Sequence, residues 1–134
     1  MLCRLADRIY GIELGTVREI ITFRSATRLP GAPALVAGLV NVRGTIVTVL
    51  DLGARLAGAR SARPDASVVL VEHGPKVVGV VVDEVLDVHR LADDAMAIDA
   101  SDLVPGAGVR GVVRLEERSV ILLDISGIIS HVLA

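Results

Sequence analysis

The chain has 134 residues, with 14 Lys plus Arg against 16 Asp plus Glu for a formal charge of −2. A near-neutral chain without clustered positive charge is poorly suited to nucleic acid or to an anionic membrane surface. Hydrophobic residues make up 52% of it, which excludes global disorder. One Phe, one Tyr and no Trp argue against stacking platforms for bases or sugars. The single cysteine, Cys3, cannot form an internal disulfide, which fits a reducing compartment. No apolar run reaches the roughly 18 residues of a membrane span, and the first residues lack the basic head and apolar stretch of a signal peptide. A cytoplasmic protein without membrane insertion is expected.

Short β-runs separated by turn chemistry fill the chain. Residues 2–14 read as two strands broken at Asp7-Arg8. Residues 16–23 form a third run, and strict alternation places Val17, Glu19, Ile21 and Phe23 on one face, with Arg18, Ile20 and Thr22 on the other. Ile20 among polar neighbours marks this strand as half exposed. Leu29-Pro30-Gly31-Ala32-Pro33 is a loop, because two prolines and a glycine make poor ladder partners. Residues 34–37 are expected to form one helical turn after Pro33. Two β-runs then flank Arg43-Gly44, where the glycine supplies the positive φ of a tight turn. Asp51 reads as a helix N-cap, with Leu52 and Leu56 one turn apart and Gly58 as the stop. Residues 59–66, small, basic and proline-containing, are expected to be a flexible surface loop.

Residues 67–72 and 77–82 give the clearest hairpin, turning at His73-Gly74-Pro75-Lys76. The valine run of 77–82 is continuous rather than alternating, the pattern of a strand covered on both faces. Gly79 within it signals a bulge or a close approach. Residues 83–89 continue in extended form, and the acidic, Ala-rich stretch 90–104 is expected to be irregular. Another hairpin joins 111–115 to 120–125, and 126–133 has the pattern of a short amphipathic helix. Many short strands with few helices argue an all-β sandwich or barrel assembly.

The familiar signatures of chemistry are weak. Gly106-Ala107-Gly108-Val109-Arg110-Gly111 has dinucleotide-binding spacing, but that mechanism needs a strand before it and a helix after it. Here Pro105 precedes and Val112-Val113-Arg114-Leu115 follows, so a loop leading into a strand is expected. His73, His89 and His131 lack metal-ligand spacing, and no nucleophile elbow is present. Asp83 and Glu84 are adjacent and point to opposite faces of an extended segment, so they do not converge on one substrate. Asp93-Asp94 lies in the expected irregular region. Two other charged residues stand out. Arg43 sits at a tight turn, either as a solvated turn residue or as a guanidinium presented to a partner carboxylate. Glu19 is either an edge charge that discourages aggregation or the rim of an apolar binding patch.

The ordered set Val17-Arg18-Glu19-Ile20, Leu29-Pro30, Gly38-Leu39-Val40-Asn41-Val42-Arg43-Gly44 and Val47-Thr48-Val49-Leu50-Asp51-Leu52 resembles the CheW family of chemotaxis coupling proteins. The later segments 69–71, 77–85 and 122–125 agree, so the resemblance runs from about Leu2 to Leu133. Thr48 departs from it, since many members carry Pro there. The resemblance implies an all-β fold of two small five-stranded SH3-like barrels packed as one domain over residues 1–134. It implies no catalysis and no cofactor. Its expected partners are the regulatory domain of a CheA-type histidine kinase and the cytoplasmic tip of a chemoreceptor. By motif match it ties Val17, Glu19, Gly38 and Arg43 to receptor or kinase coupling, with Asn41 and Gly44 framing the turn that presents Arg43. The alternative is a small β-barrel ligand-binding or enzymatic domain that resembles an adaptor in structure only.

Overall fold

A computed structural model describes residues 1–88, 96–99, 108–115 and 117–133. Strands come in chain order as β1 (Leu2–Leu5), β2 (Arg8–Gly11), β3 (Val17–Thr22), β4 (Val36–Val42), β5 (Thr45–Asp51), β6 (Ser67–His73), β7 (Lys76–Val82), β8 (Glu84–Asp87), β9 (Met96–Asp99), β10 (Val109–Leu115) and β11 (Arg118–Leu123). A helix, α1 (Ile125–Leu133), closes the described chain. The strands form two sheets, one of six in the order β8-β1-β2-β11-β10-β9 and one of five in the order β3-β6-β7-β5-β4. The expected mostly-β fold is present, but the expected strand count of two five-stranded SH3-like barrels is not. One sheet has a sixth strand, and among the described residues neither ladder joins its own two edge strands.

The five-stranded sheet still curls on itself. Just past β3, Thr27 exchanges two backbone hydrogen bonds with Leu39 of β4, at 2.9 and 2.8 Å. A bridge of one residue pair thus ties the segment that follows β3 to β4, the opposite edge strand. Inside the curl lies an apolar core of Phe23, Val47, Val49, Val68, Leu70 and Val81. On the other face of the same strands, Val69, Val71, Val78 and Val80 pack against Cys3, Leu5 and Tyr10 of the six-stranded sheet and Ile128 and Ile129 of α1. The continuous valine run is therefore covered on both faces, as its pattern requires. Gly79 makes the small curl possible: a Cβ there would lie 2.9 Å from Val68 Cγ1 and 3.1 Å from Val49 Cγ2.

Several local expectations change. The first hairpin turns at Ala6-Asp7, one residue earlier than expected, with Ala6 at φ 55°. No helical turn follows Pro33. Its carbonyl accepts the Val36 N–H at 2.9 Å, and β4 begins there. β5 runs through Asp51, and the segment after it is a π-helical turn, Gly53–Ala57, ended by Gly58 at φ 69°.

The expected flexible loop at 59–66 is instead anchored, with Ser61, Ala62 and Ala66 buried. The reason is Asp51, only 2% exposed, whose carboxylate accepts from the Ala54 N–H at 3.0 Å, the Ser61 N–H at 2.9 and 3.0 Å, and the Ala62 N–H at 2.9 Å. Of the stretch 90–104, residues 96–99 form a strand, so that part is not irregular; the remainder, with Asp93-Asp94, lies outside the described residues. The glycine-rich run leads into β10 at Val109, which leaves no helix N-terminus for a phosphate.

A second charged cluster joins the two sheets. Asp83, between β7 and β8, accepts the Ala6 N–H at 2.7 Å and pairs with Arg4 at 3.5 Å and Arg63 at 3.4 Å. Burial opposes ionisation of this carboxyl. The nearby Ser61 hydroxyl (without a hydrogen bond of normal length), the Ala6 N–H and the two guanidinium groups outweigh it, so the carboxyl is held below its ordinary range.

Candidate functional site

The site begins with an irregularity in β3. Val17 pairs with Val71, but Glu19 pairs with Leu70, so the register slips by one residue at Arg18. Such a bulge breaks the alternation of faces. Val17 consequently packs against the core shared by the two sheets, while Ile21 and Phe23 face the interior of the curl. Glu19 stands opposite Leu70, whose side chain is part of that interior. The expectation that Val17 and Glu19 share a face is therefore overturned. The same slip lets consecutive residues, Arg18 and Glu19, line one pocket.

The second part is the β4–β5 turn. Arg43 has φ 50° and Gly44 φ 87°. Positive φ at both central residues is the signature of the type I′ turn, whose twist matches the flanking strands. A non-glycine residue at the first of these positions is uncommon. The Asn41 Oδ1 accepts the Gly44 N–H at 2.8 Å and fixes the turn from within. From this turn the Arg43 guanidinium reaches to β3, at the opposite edge of the sheet. It forks onto Glu19, with Nη1 donating to Oε2 at 3.1 Å and Nη2 donating to Oε1. Their mutual hydrogen bond holds the Glu19 carboxyl below its ordinary range and pushes the Arg43 guanidinium up. Arg43 remains 72% exposed and Glu19 31%.

Together these elements form the open mouth of the curled sheet, a pocket of about 230 Å³. Val42, Val47, Leu70 and Val77 supply its apolar lining, Thr45 one side, and Arg18, Glu19 and Arg43 its charged rim. Of the six residues singled out in the sequence, Glu19 and Arg43 meet here, and Asn41 and Gly44 build the turn. Val17 and Gly38 do not line the pocket. Gly38 is buried at φ 137°, where a Cβ would lie 2.4 Å from the Thr27 carbonyl oxygen. The absence of a side chain there permits the close approach by which Thr27 bridges to β4. Sequence reading did not place Arg18, Val42, Thr45, Val47, Leu70 or Val77 at the site. The continuous apolar runs of β6 and β7 carry no signal that singles out Leu70 and Val77, and Arg18 is readable only with the bulge in hand.

The chemistry elsewhere is spare. The Cys3 thiol is fully buried and pushed up to about 12 by desolvation, which makes it a poor nucleophile. Among the described residues no group of three His, Cys, Asp or Glu side chains is placed to hold a metal, and no helix is long and apolar enough to cross a membrane.

Comparison with known proteins agrees with this architecture. The CheW-like domain description matches residues 1–133. The chain is 30% identical to the probable chemotaxis protein CheW of Rhizobium etli, over 96% of this chain and 84% of that protein. It is 33% identical to the chemotaxis protein CheW of Klebsiella aerogenes, over 97% of this chain and 80% of that one. Its fold superposes on the crystal structure of the scaffolding protein TtCheW from Thermoanaerobacter tengcongensis with a TM-score of 0.80 at 26% identity, covering 91% of this chain and 85% of that one. On the strength of a match that spans both sheets and the turn bearing Arg43, the chain belongs to the CheW-like domain family.

Proposed function

We propose that this protein is a non-catalytic cytoplasmic adaptor that couples chemoreceptors to a CheA-type histidine kinase in chemotaxis or a related chemosensory pathway. In this reading the chain acts as one CheW-like domain, and each sheet serves as an SH3-like half. One partner is the regulatory domain of the kinase; the other is the receptor's cytoplasmic tip. The observation that carries the reading is the Arg43–Glu19 fork, held on a rigid turn at the apolar-lined mouth of the curled sheet. A fixed guanidinium beside buried-quality apolar surface is the composition of an interface hot spot. The alternative of a small-ligand or enzymatic domain is not favoured. Cofactor and drug-sized sites are enclosed clefts of about 300–1,000 Å³, whereas this mouth is open and about 230 Å³.

Calorimetry of the chain with a CheA-type regulatory domain and with a receptor-tip hairpin tests the proposal. Saturable binding to both by the wild type is expected, with Arg43→Ala weakening at least one while circular dichroism shows a folded domain. An unaltered affinity of Arg43→Ala for both partners would remove Arg43 from the interface. Absence of wild-type binding to either would refute the adaptor reading itself.

A further inference from the structure

The mouth of the curled sheet has features beyond an ion pair, and they specify what it accepts. Its volume of about 230 Å³ exceeds the roughly 150 Å³ in which an apolar protein cavity takes up benzene. There is room for one large side chain and not for a nucleotide-sized ligand. The lining of Val42, Val47, Leu70 and Val77 is wholly aliphatic. The rim carries two cations, Arg18 and Arg43, against one anion, Glu19. Glu19 accepts from both Nη1 and Nη2 of Arg43; among the described residues Arg18 makes no salt bridge, though its charge also helps hold the Glu19 carboxyl down, so one anion faces two cations. The rim therefore holds one uncompensated positive charge next to an apolar hole.

We propose that this mouth is an anchor site for a partner segment that inserts one aliphatic side chain and offers a carboxylate from the neighbouring residue to Arg18 and the outer N–H groups of Arg43. The inference rests on the adaptor reading and names the chemistry of the partner at this site. Glu19 takes no part in gripping the partner. It fixes the Arg43 guanidinium in one orientation, so little side-chain freedom is lost when the carboxylate arrives. It also disfavours segments whose acid enters the hole itself.

The test needs only the purified chain and short capped peptides, so it is independent of any kinase. Amide resonances are followed by NMR while acetyl-Leu-Glu-amide, acetyl-Leu-Gln-amide and acetyl-Gly-Glu-amide are added to millimolar levels. Acetyl-Leu-Glu-amide is expected to shift the amides of Arg18, Glu19, Thr45 and Val77 saturably. Loss of its charge in the Leu-Gln peptide is expected to weaken binding about two- to five-fold, the range of an exposed ion pair. The Gly-Glu peptide, with no side chain to bury, is expected to give no localised shifts.

Thr45→Trp, which fills the mouth from an exposed position, is expected to abolish the response while the remaining spectrum stays dispersed. No localised shifts with the Leu-Glu peptide, or equal binding by Leu-Glu and Leu-Gln, would overturn the proposal. Tighter binding of free isovalerate than of the peptide would reassign the mouth to a small acid and overturn it as well. Failure of the peptides alongside intact kinase binding would reject the anchor and leave the adaptor standing.

Discussion

Replacing Asp51 with asparagine tests the claim that one buried carboxylate organises the chain between β5 and β6. Both oxygens are in use: Oδ1 takes the Ala54 and Ser61 N–H groups, and Oδ2 takes those of Ser61 and Ala62. The amide of Asp51→Asn keeps one oxygen and puts an NH₂ where the other was. The Ala62 N–H then faces a donor in a buried setting. An orphaned buried donor costs about 1–3 kcal/mol, and the bonds that remain lose charge assistance worth about 1 kcal/mol each. The expected destabilisation is about 2–5 kcal/mol, a large share of the roughly 5–15 kcal/mol available to a domain. With a urea slope of about 1–3 kcal/mol per molar, the unfolding midpoint should fall by about 1–2 M. Trypsin should also cut at Arg60 faster in the variant, since the anchored segment is released. An unfolding free energy within about 0.5 kcal/mol of wild type, the scatter of ordinary surface substitutions, would refute this account of the segment.

Gly38→Ala should be destabilised by about 2 kcal/mol or more in urea titrations, since a Cβ at φ 137° meets the Thr27 carbonyl oxygen; loss of partner binding in that variant would report on the fold rather than on an interface. Asp83 should make stability acid-sensitive. Its folded-state carboxyl sits below the ordinary value of 3.8, so its contribution is complete above that value and is lost as pH falls through the folded-state value. Thermal melts of Asp83→Asn should therefore lie below wild type at neutral pH and converge on it in strong acid; a gap that stays constant with pH would disprove the linkage.

Much of the fold was legible because period-2 patterning and turn chemistry are local properties. The hairpins around Arg43-Gly44 and Gly74-Pro75, the half-exposed β3 and the C-terminal helix all stand where the residues place them. The doubly covered valine strand was legible for the same reason. What escaped was non-local. Residues 59–66 look like a loose loop because their own side chains are small and polar; nothing among them reveals that Asp51 collects their N–H groups from ten residues away. The sixth strand of the larger sheet was hidden similarly, since β9 is a strand through its partner β10 and not through a pattern of its own.

The candidate site shows the same division more sharply. Asn41, Arg43 and Gly44 were readable together, because a two-residue turn needs positive φ and a side chain to brace it. Glu19 was readable as a charge on an otherwise apolar face. Their meeting was not, because it depends on the sheet curling until β3 and β4, its two edges, face each other. Alternation also carried a definite error. It assumes an unbroken ladder, so it put Val17 beside Glu19 and sent Arg18 to the other side. One slipped residue pair reverses that assignment, sending Val17 into the shared core and bringing Arg18 to the mouth. The feature that defeats a period-2 reading is thus the feature that sets two consecutive, oppositely charged side chains on one rim. An interface that must offer an apolar hole and fixed charges within one side chain's reach gains from such a slip, because a regular strand would hold them on opposite faces.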